Sequence, residues 1–269
     1  MHSGICRSMS AQHDYSLLSL GLENKKFVVA HRGASGIAPE NTLSSLQLAI
    51  SAGATMVEID VQITRDDQVI MLHDPYLGRT TSGKGKVRLK SYDELSDLDA
   101  GSWFHESFAS EKIPLLKEGL QLLKDHQVFV NIEIKPPQEQ DDFKERVHNI
   151  IDIVQSLNML NVTLFSSFHH ESLLYMKKEI PGTFTAAINV PGDNRLPSEI
   201  AGEIGCDAFV CSLKELNHKR DDDTKKNNIL LGIYTINTIE DFTKVMKYHA
   251  PALVTNFPDR IQHFLHEHH

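Results

Sequence analysis

Short apolar runs alternate with longer segments of helical periodicity along most of this 269-residue chain. Nine apolar runs have the length of strands: Phe27–Ala30, Met56–Val61, Val69–His73, Val128–Ile134, Val162–Phe165, Phe184–Ile188, Ala208–Cys211, Leu230–Thr235 and Ala252–Thr255. Segments with helical spacing fill most of the gaps: Asn41–Ala52, Leu115–His126, Asp141–Leu157, His170–Glu179, Pro197–Ile204 and Ile239–Tyr248. This alternation is typical of βα units and predicts a parallel sheet.

One of the nine strands cannot join its predecessor in parallel. Only seven residues separate Met56–Val61 from Val69–His73, whereas a parallel crossover needs about a dozen or more. We therefore expect Val69–His73 to return as the antiparallel arm of a hairpin. The other eight strands predict an α/β fold, a closed (β/α)8 TIM-type barrel with a small insertion after the second strand and its hairpin. An open doubly wound sheet is the alternative, but no G-x-G-x-x-G follows the first strand.

Both ends of the chain and one long internal segment do not follow this alternation of strands and helices. Residues 1–22 are polar and irregular, so we expect a loose lead-in to a barrel over residues 23–265. Residues 75–112 carry the basic run Lys84–Arg88 and predict an inserted subdomain, because loops of this length are rare in compact domains. Residues 266–269 predict a disordered, histidine-rich tail.

Composition and charge exclude several classes of protein. The formal net charge is −9 and the pI is about 5.9, which disfavours nucleic acid as a partner. No apolar run approaches the roughly 18 residues of a membrane span, and no signal-peptide core is seen in the first 22 residues. We therefore expect a cytoplasmic protein without a transmembrane segment. The sequence leaves the oligomeric state open.

Two carboxylates share one face of the second strand. Glu58 and Asp60 alternate with the apolar Val57, Ile59 and Val61, so both acidic side chains point into a barrel of this kind. Their repulsion and desolvation would be relieved by a divalent cation such as Mg²⁺ or Ca²⁺. A solvent-facing strand, or pairing with arginine or lysine, would explain the pair equally well.

A third carboxylate favours the cation. One face of the segment Val130–Lys135 carries Asn131, Glu133 and Lys135, and Pro136 ends the strand at once. Glu133 therefore lies at the carboxyl end of its strand, where barrel enzymes build their active sites. Lys135 either extends to solvent or contacts a phosphate.

Histidines occupy comparable places at the ends of two strands. His31 follows the first strand and His73 ends the hairpin arm, so both are expected near the acidic residues. Two histidines at one rim can act as acid and base. Gly33 permits a sharp turn after Arg32, whose planar guanidinium suits a phosphate. A cation site, two proton carriers and two fixed positive charges together fit a phosphate ester.

The same residues form a series of motifs that resembles the glycerophosphodiester phosphodiesterase family over about residues 27–260. The most specific motifs are His31-Arg32-Gly33, Pro39-Glu40-Asn41-Thr42, Glu58-Ile59-Asp60-Val61-Gln62 and His73-Asp74. The remaining segments follow in family order: Arg79–Thr81, Glu94–Leu95, Leu98–Gly101, Ile113–Pro114, Glu133–Lys135 and Ser166–Phe168.

This resemblance implies a metal-dependent hydrolase that acts on a small molecule. The implied reaction converts glycerophosphodiesters, such as glycerophosphocholine or glycerophosphoethanolamine, to sn-glycerol 3-phosphate and an alcohol through a cyclic phosphate. The implied cofactor is one divalent cation, Ca²⁺ or Mg²⁺. The resemblance also implies the site residues. The metal ligands are Glu58, Asp60 and Glu133. The acid/base pair is His31 and His73, and Arg32 and Lys135 match phosphate-binding positions.

Two positions depart from the family pattern. The family commonly has tryptophan where this chain has Tyr234, and usually aspartate where it has Asn256. Tyr234 is expected to bind substrate in the place of that tryptophan. Both departures bear on substrate fit and local hydrogen bonding rather than on the class of reaction.

Two rival functions remain. A lysophospholipase D-like or phosphoinositide phospholipase C-like phosphodiesterase would also use paired histidines near acids, and a lyase of this kind would stop at the cyclic phosphate. A non-catalytic barrel that binds metal or phosphate is the other rival. That rival is disfavoured because the histidines and carboxylates that the chemistry needs are all retained.

Overall fold

The computed structural model describes residues 16–17, 25–138 and 142–267. Within these residues the strands are β1 (Phe27–His31), β2 (Met56–Ile63), β3 (Val69–Met71), β4 (Tyr76–Leu77), β5 (Gly85–Lys86), β6 (Phe129–Ile134), β7 (Thr163–Ser167), β8 (Phe184–Ile188), β9 (Ala208–Ser212), β10 (Leu230–Tyr234) and β11 (Ala252–Thr255). Apart from Ser16 and Leu17, the predicted lead-in over residues 1–22 lies outside the described residues.

Eight parallel strands close into a barrel. Their order is β1-β11-β10-β9-β8-β7-β6-β2, and β1 closes the ring by pairing with both β11 and β2. Strand β3 runs antiparallel to β2, with Val61 opposite Met71. The predicted TIM-type barrel with a hairpin arm is therefore confirmed, and the open doubly wound sheet is excluded.

Helices cover the outside of the barrel. The α-helices are α1 (Leu43–Ser51), α2 (Tyr92–Leu95), α3 (Leu116–Asp125), α4 (Phe143–Ser156), α5 (His170–Glu179), α6 (Pro197–Ile204), α7 (His218–Lys226), α8 (Ile239–Val245) and α9 (Pro258–Glu267). Outward-facing strand residues such as Val57, Ile59 and Ile132 are fully buried beneath them. None of the helices in the described ranges combines the length and apolar character needed to cross a membrane.

Three of these helices, α2, α7 and α9, have no counterpart in the sequence prediction. Helix α7 lacks apolar periodicity, and its buried residues are Arg220, Asp221 and Thr224. Its start is set by Asn217, whose side chain accepts a hydrogen bond from the backbone N–H of Arg220, as an N-cap residue does. Helix α9 ends at Glu267 and so contains His266 of the predicted tail. Residues 268–269 lie outside the described residues.

The inserted segment has a small core of its own. Ile70 and Leu72 pack with Leu77, Val87 and Leu95 in this second cluster, whereas Val69 and Met71 belong to the main core. Side chains alternate along a strand, so β3 has one face on the barrel and the other on the insertion. The insertion is thereby attached beside the carboxyl ends of β1 and β2.

Candidate active site

The carboxyl ends of three neighbouring strands bring the predicted ionisable residues together. His31 of β1 is the register partner of Glu58 in β2, and Asp60 of β2 is the register partner of Glu133 in β6. Glu58 and Asp60 lie two residues apart and therefore share the inward face of β2. The sequence pattern and the strand register thus place three carboxylates and one histidine at the same end of the barrel.

Glu58, Asp60 and Glu133 form an acidic triad. One carboxylate oxygen from each residue lies within 4.8 Å of the others, and all three residues are buried. Burial, followed by the negative charge of Asp60, raises the pKa of Glu58 well above its usual value, and the same two causes raise the pKa of Glu133. Carboxylates at this spacing repel one another and favour a positive charge between them.

Lys135 supplies part of that positive charge. Its Nζ lies 2.5 Å from Oδ1 of Asp60 and 2.5 Å from Oε1 of Glu133. Burial opposes ionisation of Asp60, but Lys135 and Arg32 outweigh burial and hold the pKa of Asp60 below its usual range. Oε1 of Glu58 is buried and has no hydrogen-bond partner. Carboxylate oxygens in this number suit a hard divalent cation, so the acidic triad fits such an ion.

Arg32 is held by both its backbone and its side chain. It adopts the left-handed conformation (φ 57°), and its backbone N–H donates to Oε2 of Glu58 at 2.8 Å. The guanidinium lies 3.1 Å from Asp60 and 2.8 Å from Glu40. Gly33 follows with φ 77°, and a Cβ there would lie 2.5 Å from Oγ of Ser45. Glycine is therefore required for the turn that brings Arg32 to the acidic triad.

His31 is held as a neutral imidazole. Its Nδ1 lies 2.8 Å from Oδ1 of Asn256, and an amide oxygen only accepts, so Nδ1 carries the proton. Burial, followed by the charge of neighbouring Arg32, lowers the pKa of His31 to about 4. His31 is therefore uncharged near neutral pH, and Nε2 keeps a free lone pair.

His73 has a charged neighbour instead. Its Nδ1 lies 2.5 Å from Oδ1 of Asp74, and Asp74 also accepts a hydrogen bond from Nε of Arg79. The side chain of Gln62 donates to the carbonyl oxygen of His73 at 2.9 Å. The ring is thus oriented by a carboxylate, as the histidine of a catalytic triad is.

The site opens into a cavity of about 280 Å³. All of the predicted site residues line this cavity except Asp60, which lies fully buried behind it. Tyr234 lines the side away from the acidic triad, and burial raises its pKa to about 12. The rest of that wall is largely apolar and contains Phe168, Ile188, Val210 and Val254. The cavity therefore has one ionic half and one apolar half.

Several residues that hold the site were not assigned a role from sequence. Asn41 donates to Oδ2 of Asp60 at 2.8 Å and accepts from the backbone N–H of Asp60 at 3.1 Å. Glu40 and Arg79 link the loops around Arg32 and His73. The motif containing Glu40 and Asn41 was a signal for the first two. The segment Arg79–Thr81, which also follows the family order, was a signal for Arg79, but its contact with Glu40 was not visible because the two residues lie 39 positions apart.

Comparison with known proteins agrees with the geometry. The sequence model of the glycerophosphoryl diester phosphodiesterase family matches residues 31–260. A glycerophosphodiester phosphodiesterase of Caldanaerobacter subterraneus is 31% identical, covering 88% of this chain and 96% of its own. A Bacillus subtilis protein of the same name is 30% identical, over 93% of this chain and 89% of its own.

A solved structure is similar over nearly the whole barrel. It is a phosphodiesterase of Oleispira antarctica in complex with the product sn-glycerol-3-phosphate, and it aligns with a TM-score of 0.83 and 29% identity. The alignment covers 90% of this chain and 98% of that chain. Fold and site thus define a TIM-barrel enzyme, a phosphoric diester hydrolase. The chain belongs to the glycerophosphoryl diester phosphodiesterase family.

Proposed function

We propose that this enzyme hydrolyses small glycerophosphodiesters, such as glycerophosphocholine and glycerophosphoethanolamine, to sn-glycerol 3-phosphate and an alcohol. The observation that carries this proposal is the pairing of two differently held histidines beside the acidic triad. Nδ1 of His31 faces a neutral amide, whereas Nδ1 of His73 faces a carboxylate. One ring is suited to take a proton and the other to give one.

The acidic triad is the proposed site of one divalent cation, Ca²⁺ or Mg²⁺, because both ions accept carboxylate oxygens together with water or substrate. When bound, the cation polarises the substrate hydroxyl and neutralises charge on the phosphoryl oxygens. Arg32 and Lys135 bind the remaining phosphate oxygens. Tyr234 packs against the substrate from the apolar half of the cavity.

The two histidines exchange roles between two steps. Nε2 of His31 takes the proton of the glycerol 2-hydroxyl, and that oxygen attacks phosphorus while His73 donates a proton to the departing alcohol. The product is a cyclic phosphate. His73 then takes a proton from water, the water oxygen opens the ring, and His31 returns its proton to the 2-oxygen. Protons balance, and both rings return to their starting state.

The proposal is tested by incubating the protein with glycerophosphocholine and following sn-glycerol 3-phosphate with a coupled dehydrogenase. The assay is run in EDTA and then with Ca²⁺ or Mg²⁺ restored separately. We expect release only with a cation. No release with either ion would contradict the proposal, and a panel of lysolipids and phosphoinositides would then identify another leaving group. Phosphorus NMR that finds only cyclic phosphate would indicate a lyase instead.

A further inference from the structure

Two buried polar atoms in the active-site cavity lack a hydrogen-bond partner. They are Oδ1 of Asn131 and Oγ of Ser166. The two residues are only 8% and 1% exposed, and both line the cavity. Leaving a buried acceptor or hydroxyl without a partner is unfavourable, and native proteins leave few such groups. Neither atom has a role in the mechanism proposed above, so both are available to a bound molecule.

Strand register places these groups on β6 and β7, beside the acidic triad. Asn131 is the register partner of Glu58, and Ser166 is the register partner of Glu133. Asn131 lies two residues before Glu133 in β6, which is about 7 Å deeper along the strand. The apolar Val210 and Val254 line the cavity together with these groups. The two groups therefore form a small polar spot that lies beside the acidic triad and is bordered by apolar side chains.

Contacts with the histidines and the acidic triad decide which part of the substrate reaches this polar spot. The position of the substrate rests on the proposed function. The phosphorus and the glycerol 2-hydroxyl must lie against the histidines and the acidic triad. The leaving alcohol, which differs between substrates, needs the open mouth. The one remaining end of the substrate is the terminal hydroxymethyl group of glycerol, a small group with one hydroxyl and one CH₂.

We propose that Asn131 and Ser166 form a subsite for the terminal hydroxyl of the glycerol unit. Oδ1 of Asn131 accepts the hydrogen of this hydroxyl, and Oγ of Ser166 donates to its oxygen. The CH₂ packs against Val210. A site that hydrogen-bonds a hydroxyl strongly rejects an analogue without it, because the polar groups of the site are then left unpaired. Asn131 and Ser166 therefore select glycerol over shorter or deoxygenated diols.

The experiment compares two substrates that differ by this hydroxyl. Glycerophosphocholine is paired with 2-hydroxypropyl phosphocholine, which keeps the neighbouring 2-hydroxyl but lacks the terminal one. For the wild type we expect kcat/KM to be at least about tenfold higher for glycerophosphocholine. Asn131→Leu keeps the side-chain size. In this variant the ratio of the two kcat/KM values should fall to about one, because kcat/KM decreases for glycerophosphocholine alone. Ser166→Ala should lower the ratio partly.

Asn149→Leu is the matched control. Asn149 lies in α4, and its Nδ2 is also buried without a partner, but it does not line the cavity. This variant should keep the wild-type ratio. An unchanged ratio in Asn131→Leu would overturn the proposal. Equal loss on both substrates together with weaker cation binding would also overturn it, because Asn131 would then act on the metal site.

A binding measurement separates this proposal from the proposed function. Calorimetry with sn-glycerol 3-phosphate and with 2-hydroxypropyl phosphate needs no turnover. We expect the wild type to bind the former at least about tenfold more tightly and Asn131→Leu to lose the difference. If glycerophosphocholine is not hydrolysed but this difference in binding is found, the proposed reaction fails and the subsite stands. Equal binding of the two phosphates by the wild type would overturn the subsite.

Discussion

Arg79 donates two hydrogen bonds to the carboxylate of Glu40, 2.9 Å from Nη1 and 2.6 Å from Nη2, across the junction between the insertion and the barrel. The same guanidinium donates to Asp74, which holds His73. Glu40 in turn binds Arg32 at 2.8 Å. A single side chain of the insertion therefore braces the groups behind both the proposed acid and the phosphate-binding arginine.

Arg79→Ala should slow the reaction without preventing substrate binding. Loss of the guanidinium frees Asp74 and Glu40, so His73 and Arg32 are less well oriented, and small misplacements of reacting groups reduce rates strongly. We expect kcat to fall about tenfold or more while KM changes less than about threefold. Arg79→Lys, which keeps the charge but not the paired hydrogen bonds, should be intermediate.

Arg65→Ala is the matched control for Arg79. Arg65 also pairs with the insertion, through Glu94 at 2.9 Å, but among the described residues it forms no ion pair with Glu40 or Asp74, the partners of Arg79. Exposed ion pairs of this kind contribute little, so kcat should stay within about twofold of the wild type. Equal effects of the two substitutions would show that Arg79 acts only on the stability of the insertion.

Asn41 should affect cation affinity through Asp60. Its amide both donates to the carboxylate and accepts from the backbone of Asp60, and partners of metal ligands typically contribute about 10- to 100-fold in affinity. Asn41 has φ 56°, so Asn41→Gly removes the amide without straining the backbone. We expect the calorimetric Kd for Mg²⁺ or Ca²⁺ to rise by about that factor.

Asn158→Gly controls for the added backbone freedom. Asn158 also has a left-handed conformation, with φ 55°, and does not line the cavity. Its substitution should destabilise the fold to a similar extent and leave the cation Kd unchanged. A cation Kd in Asn41→Gly equal to that of the wild type would contradict a role for Asn41 in holding Asp60.

Lys26 should make stability depend on pH at the seam where β1 closes the barrel. Its Nζ donates to the carbonyl oxygens of Tyr248 and Ala250, each at 2.8 Å, and burial lowers its pKa from 10.5 to about 8. Between these values the unfolded chain binds the proton and the folded chain does not, so the free energy of unfolding rises with pH.

The check is urea denaturation of wild type and Lys26→Met at several values between pH 8 and 10.5. The difference in unfolding free energy, wild type minus variant, should increase across this window, because other titrating groups cancel. A flat difference for Lys26→Met would contradict the lowered pKa.

The sequence predicts the barrel well because the apolar runs of the strands and the helical periodicity between them are both local patterns. Strands such as Phe184–Ile188 and Ala252–Thr255 are short apolar runs between helical segments, and the structure has them with the predicted bounds. The hairpin followed from loop length alone. Helix α7 was missed because it has almost no apolar residues, so the periodicity that marks other helices is absent. Its N-cap Asn217 was the only local sign.

The site was predictable only in part, because some of its contacts join residues that are distant in sequence. Alternation along β2 and β6 reveals which carboxylates face inward, and strand order brings them together. The contact of Arg79 with Glu40 joins two loops that meet in space but lie 39 residues apart in sequence. The unpaired oxygen of Asn131 is visible only once every neighbouring side chain is in place.

The most direct measurement of the central claim is the rate of sn-glycerol 3-phosphate release by His31→Ala and His73→Ala at saturating cation. Each histidine is expected to contribute general acid–base catalysis of about 10²- to 10⁴-fold. We therefore predict that kcat on glycerophosphocholine falls by at least about a hundredfold in both variants, with the fold intact by circular dichroism. Near wild-type turnover in either variant would contradict the two-histidine mechanism.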